Sequence, residues 1–151
     1  MPNVDLPALY AEFESRVFPE SLTVWEHGDL TVTSNSAGHA IVLAESEEFW
    51  EDDDGSAAEA AWARLESLCR EYEVAATAAW GDPHRADITH RLAQDESSPL
   101  AELLLEHGTV EVVCWDRGER AVGLSVGQMD KETAIQVVAY VVADWSGEGR
   151  R

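Results

Sequence analysis

Lys131-Glu132-Thr133-Ala134-Ile135-Gln136-Val137-Val138-Ala139-Tyr140-Val141-Val142-Ala143-Asp144-Trp145 is apolar along most of its length. Its β-branched residues suit a strand. Its length suits a helix, with Asp130 in front as an N-cap and Glu132 where the helix dipole favours negative charge. Cap and length together predict a last helix over 131–145. A helix apolar on all sides must be buried on all sides. A two-layer fold covers only one side, which invites a homodimer contact here.

Upstream, 109–115 and 120–127 flank Asp116-Arg117-Gly118-Glu119 and predict a hairpin. Ser98 followed by Pro99 predicts a short helix with Leu100, Leu103 and Leu104 inward, closed by His107 and Gly108. Residues 81–97 read as a long polar connection, and 74–80 as a short buried strand. Ala58, Ala61, Trp62, Leu65, Leu68, Cys69 and Tyr72 recur at helical spacing and predict a helix over 57–73. Residues 38–45 read as a strand antiparallel to 30–33, which forms a hairpin with 22–26 across His27-Gly28-Asp29. Asp5 and Pro7 open a helix over 6–18 whose inner face is Leu6, Leu9, Tyr10, Phe13 and Val17.

The resulting order is α-β-β-β-α-β-α-β-β-α. It predicts an α+β fold in which a mainly antiparallel sheet of five or six strands is covered by helices. The 151 residues fit a single domain over 1–151, with 1–4 and 147–151 frayed. No internal repeat is visible.

The chain carries 30 Asp+Glu against 10 Lys+Arg, a formal charge of −20. With 45% hydrophobic and 26% charged residues, the composition is that of a folded domain and not of a disordered tail. Such a charge, with no basic stripe to neutralise phosphates, excludes direct nucleic-acid binding and docking on anionic lipid. No apolar run reaches the ~20 residues of a membrane span, and Met1-Pro2-Asn3-Val4-Asp5 is not the start of a signal peptide. Cys69 and Cys114 lie in apolar patterns and read as reduced core thiols, so the expected compartment is the cytoplasm. Lys131 is the only lysine beside nine arginines, a bias that a GC-rich genome produces without a functional cause. A salt-adapted cell would also explain many acids with few lysines.

The charge is uneven. The first sixty residues hold fourteen acids and one base, Arg16. Glu45-Ser46-Glu47-Glu48-Phe49-Trp50-Glu51-Asp52-Asp53-Asp54 holds seven acids around two large aromatics. One reading is a solvated loop anchored by Phe49 and Trp50. The other is a docking loop in which Glu47, Glu48, Trp50, Glu51, Asp52 and Asp53 engage a basic partner, the aromatic supplying dry contact and the acids steering. A cation site for Ca²⁺ or Mg²⁺ is a further reading of so many carboxylates, although the run lacks the ligand spacing of a calcium loop.

Asp82, His84, Asp87 and His90 are the residue types of a metal or acid/base site. Their spacing matches no ligand signature, and turn and cap roles account for them equally well. His27, His39 and His107, at a turn, on a strand and at a helix end, need no site. Gly123, Ser125 and Gly127 alternate with Val122, Leu124 and Val126. The bare face so formed predicts close packing of a helix or of Trp115, or else a small-ligand groove. Phosphate-loop, dinucleotide, nucleophile-elbow and zinc-protease patterns are absent. Cys114 among apolar neighbours is no nucleophile. Trp62 and Trp115 read as core, whereas Trp25 or Trp145, if exposed, would mark a contact surface.

The sequence therefore predicts a non-catalytic acidic interaction protein with a basic protein partner, an immunity-type inhibitor of a bacterial toxin or a DNA mimic. No cofactor, metal or catalytic residue is assigned. The alternatives are a small-ligand-binding or structural homodimer and a metal-assisted hydrolase using Asp82, His84, Asp87 and His90.

Overall fold

The computed structural model describes residues 4–51, 54–87, 98–109 and 111–143. Three helices are described: α1 (Leu6–Phe13), α2 (Ser56–Trp80) and α3 (Pro99–Leu105). Seven strands form one antiparallel sheet: β1 (Thr23–His27), β2 (Leu30–Asn35), β3 (Gly38–Glu45), β4 (His84–Asp87), β5 (Glu111–Asp116), β6 (Ala121–Gln128) and β7 (Ile135–Val142). Their order across the sheet is β1-β2-β3-β7-β6-β5-β4. The α+β class and the antiparallel sheet are as the sequence predicts.

The predicted helix over 131–145 is instead the central strand β7, paired with β3 on one side and β6 on the other. Its residues alternate between two apolar layers, so both faces are buried and the period-two signature of a strand disappears from the sequence. Ile135, Val137, Ala139 and Val141 face α1 and α2, whereas Val138, Tyr140 and Val142 face α3. Each fully buried Val or Ile contributes about 1.5–3 kcal/mol by leaving water. Asp130 does act locally, but in a turn: its Oδ1 accepts from Glu132 N at 3.2 Å, and its C=O accepts from Thr133 N at 3.0 Å. The apolarity of 135–142 is thus satisfied inside the sheet, and the argument for a homodimer seam there falls. Trp145 lies outside the described residues.

Three further expectations change. Residues 74–80 continue α2 and are not a strand. The segment is alanine-rich, alanine is the strongest helix former, and no breaker occurs until Gly81, which adopts φ +91. The connection over 81–97 contains strand β4, which pairs with β5 from His84↔Cys114 to Asp87↔Glu111. The first helix ends at Phe13, not at 18: Val17 is 81% exposed, so nothing buried rewards another turn. The remaining elements match within one or two residues, and Asp5 and Ser98 cap α1 and α3 as expected, accepting from Ala8 N and Ala101 N.

Every neighbouring pair in the sheet joins consecutive strands except one. That pair is β3–β7, running from Gly38↔Val142 to Glu45↔Gln136 with a bulge between Val42 and Ala44. Helices α1 and α2 cover one face over Ile41, Val122, Leu124 and Val137, and α3 packs on the other against Ala40, Val112 and Tyr140. Asn35 fixes α3 to the β2–β3 corner, donating to Pro99 O at 2.7 Å while its Oδ1 accepts from Ala37 N.

Candidate functional site

The acidic loop is an extension of the β3–β7 seam. Past Glu45 the ladder continues, with Ser46 N donating to Ile135 O at 2.9 Å and Ile135 N donating to Ser46 Oγ at 2.9 Å. Phe49 N then donates to Glu132 O at 2.8 Å. The seam so anchors the loop that its two aromatics part: Phe49 is 5% exposed and belongs to the core under α2, whereas Trp50 is 64% exposed. Glu47, Glu48 and Glu51 are exposed beside it. Asp52 and Asp53 lie outside the described residues.

Two carboxylates at the flanks of the loop are held below their usual range. For Glu47 the first cause is its own backbone N–H and the second is Arg64, 3.1 Å away. For Asp54 the Ser56 N–H comes first and the Ser56 hydroxyl second. Glu47 and Arg64 are both solvent-exposed, so this ion pair orients more than it stabilises.

The Asp/His set over 82–90 is not assembled by the described structure. Asp82 and His84 are exposed, Asp87 is placed by backbone pairing with Glu111, and His90 lies outside the described residues. Among the described residues no group of three or more metal-ligating side chains occurs. Cys69 and Cys114 are free thiols, and burial pushes each up to about 12, which leaves them unreactive.

A second polar cluster looks nucleophilic but is occluded. Ser34 Oγ lies 2.6 Å from His39 Nδ1, with both side chains buried under α1. Trp25 Nε1 donates to the same Oγ at 2.8 Å, and Arg16 O accepts from His39 Nε2 at 3.4 Å. Phe13, Phe18 and Trp25 pack around the imidazole. A carbonyl can only accept, so His39 carries its proton on Nε2, and burial pushes its pKa down to about 4. Ser34 and His39 are thus held in a buried hydrogen-bonded network among aromatic rings.

The bare face of β6 is explained by close packing, though not by Trp115, which faces α2 and donates to Gly81 O. The α3–β5 turn presses on it instead. A Cβ on Gly127 would lie 2.2 Å from His107 O, and one on Gly108 would lie 2.1 Å from Gln128 O. Tyr140, directly opposite Gly123, reaches Thr109 Oγ1 with its hydroxyl at 2.7 Å.

The same turn places His107, which the sequence presents only as a helix end. His107 is 7% exposed; its Nδ1 is 2.8 Å from Gln136 Oε1, and Gln136 Nε2 donates to Glu45 Oε2 at 3.2 Å. A carboxylate only accepts, so the Gln136 amide must turn its NH2 to Glu45 and its oxygen to His107. His107 Nδ1 is then the donor, and the other ring nitrogen is Nε2. That nitrogen is buried and has no partner among the described residues, a deficit of about 1–3 kcal/mol. These side chains line a cavity of about 270 Å³ together with Asp29, Thr31 and Val42. Only the fold could reveal it, because Asp29, Glu45, His107 and Gln136 come from four separate segments.

No protein-family model, no curated protein and no solved structure matches this chain.

Proposed function

We propose that the chain is a non-catalytic interaction protein that offers an acidic, tryptophan-tipped loop to a basic protein partner, as an immunity-type inhibitor or a DNA mimic would. The observation that carries this reading is the splitting of the two aromatics. Phe49 anchors the loop in the core while Trp50 projects, 64% exposed, among Glu47, Glu48 and Glu51. A large aromatic held out by a pinned backbone loses little conformational freedom on binding, and surrounding acids steer a basic surface towards it. In a DNA mimic the carboxylates stand in for phosphates.

The test is capture of binding proteins by immobilised chain at about 0.1 M and about 0.5 M salt, where the screening length falls from about 10 Å to about 4 Å. A basic partner is expected at the lower salt. Trp50→Ala is expected to weaken it by about thirtyfold, the loss of one central aromatic anchor, and Lys at positions 47, 48 and 51 to abolish it. Capture indifferent to these changes, or no basic partner at either salt, overturns the reading.

A further inference from the structure

We propose that the outer edge of β1 pairs with the same edge of a second copy of the chain, joining the two sheets across a two-fold axis. The β1–β2 hairpin dictates which backbone groups are free. Gly28 has φ +62 while Asp29 has no positive φ, the pattern of a type II′ turn. The pair flanking such a turn, His27↔Leu30, exchanges both backbone hydrogen bonds, and bonded and non-bonded pairs alternate from there. Thr23, Trp25 and His27 therefore bond to β2, whereas Val24 and Glu26 turn their N–H and C=O outward. No backbone partner meets them there among the described residues. The occupant such an edge takes is another strand.

The side chains fit a second copy. Trp25 and His27 bond to Ser34 and Glu12 on the α1 side, so Val24 and Glu26 lie on the opposite face, where Val24 is 64% exposed. An antiparallel register centred on Val24 sets that valine against its own copy and Glu26 against the exposed Leu22, with Trp25 across from Thr23. The seam is thus self-complementary, as a two-fold contact must be. No like charges stand opposite each other, since residues 21–25 carry none and Glu26 accepts from Thr31 Oγ1 at 3.4 Å, over β2 and away from the edge. The other edge strand, β4, carries Arg85 and Asp87, charges that deter pairing. β1 has neither proline nor lysine, and its register with β2 runs without a bulge.

Two chains of charge −20 repel each other, and screening removes that repulsion. Salt should therefore strengthen this association, whereas it weakens capture of a basic partner by the Trp50 loop, so the two results are separable. A one-strand contact falls below the about 1,200 Å² of a stable interface, which makes the dimer a weak one. Sedimentation equilibrium of the full chain from about 10 µM to about 1 mM should show monomer passing to dimer, at least about threefold tighter at about 0.5 M salt than at about 0.1 M. Val24→Lys keeps the backbone and adds a guarding charge, and should weaken the dimer about tenfold or more. Val24→Pro removes an N–H that β2 does not use, which an edge strand tolerates, and should abolish the dimer. Trp50→Ala should leave it unchanged. Hydrogen exchange at the Val24 and Glu26 amides should slow as concentration rises, while that of β4 stays the same. A monomer under every condition, a dimer that salt weakens, indifference to both Val24 variants, or slowing confined to other amides would each overturn the proposal.

Discussion

Ser34 Oγ stands 2.6 Å from His39 Nδ1 inside the α1 layer, and its other hydrogen bond comes from the Trp25 indole 2.8 Å away. The pair ties stability to pH. The folded pKa of His39, about 4, is below the ordinary 6.5, so between these values the unfolded chain binds the extra proton. Stability from this group is complete above pH 6.5 and is lost as pH falls towards 4. Urea unfolding at steps from pH 7 to pH 4 should show about 3 kcal/mol lost through His39. The slope should flatten in His39→Gln, while an identical slope in the two proteins would refute the assignment. Ser34→Ala, which orphans both the indole N–H and Nδ1, should cost about 2–4 kcal/mol at pH 7.

The approach of the α3–β5 turn to β6 depends on two glycines. Gly108 has φ +65 and Gly127 lies against His107 O, so a methyl at either site meets backbone that has nowhere to move. Gly108→Ala and Gly127→Ala should each cost at least about 2–4 kcal/mol in thermal or urea unfolding. Gly118 also has positive φ, +97, but open space around it. Gly118→Ala should therefore cost only the local conformational penalty, about 1–2 kcal/mol. Equal losses at all three sites would show that φ alone decides, and not the close approach.

Position in the sheet sets a hierarchy of protection. The amides of β7 are bonded between β3 and β6 under apolar cover on both faces, whereas β1 and β4 stand at the two edges. Native-state hydrogen exchange should find Val137–Val141 opening only with global unfolding, and Thr23–His27 and His84–Asp87 opening locally at lower cost. Early exchange across β7 would contradict its central place.

Much of this architecture is legible in the residues, and the failures share a cause. The β1–β2 hairpin, β3, the caps of α1 and α3, and the β5–β6 hairpin all carry local signals: Gly28-Asp29, Ser98-Pro99, Arg117-Gly118. β7 carries none, because a strand covered on both faces loses its alternation and Asp130 imitates a helix cap while serving a turn. β4 is four residues, three of them the polar His84, Arg85 and Asp87, the usual guard of an edge and indistinguishable from a loop. For the site, the acids around Trp50 were visible in the sequence, and so was their lack of neighbouring bases. That Phe49 turns in while Trp50 turns out follows from backbone bonds to Glu132 and Ile135, some ninety residues away. The His107 cavity needed the same long-range pairing.

The single pairing between non-consecutive strands also governs the order of events when the chain folds. Strands β1–β3 and β5–β7 can each assemble as a local meander, whose loops are short and cheap to close, whereas β4 joins β5 across residues 88–110, which carry α3. Joining them requires β3 to find β7, with partners roughly a hundred residues apart in the chain, the slow kind of contact. Until then two half-sheets each expose an apolar edge, which is the moment of greatest aggregation risk. On a ribosome that interval lasts at least until Val142 has emerged, because β3 has no partner on that side before β7 is made.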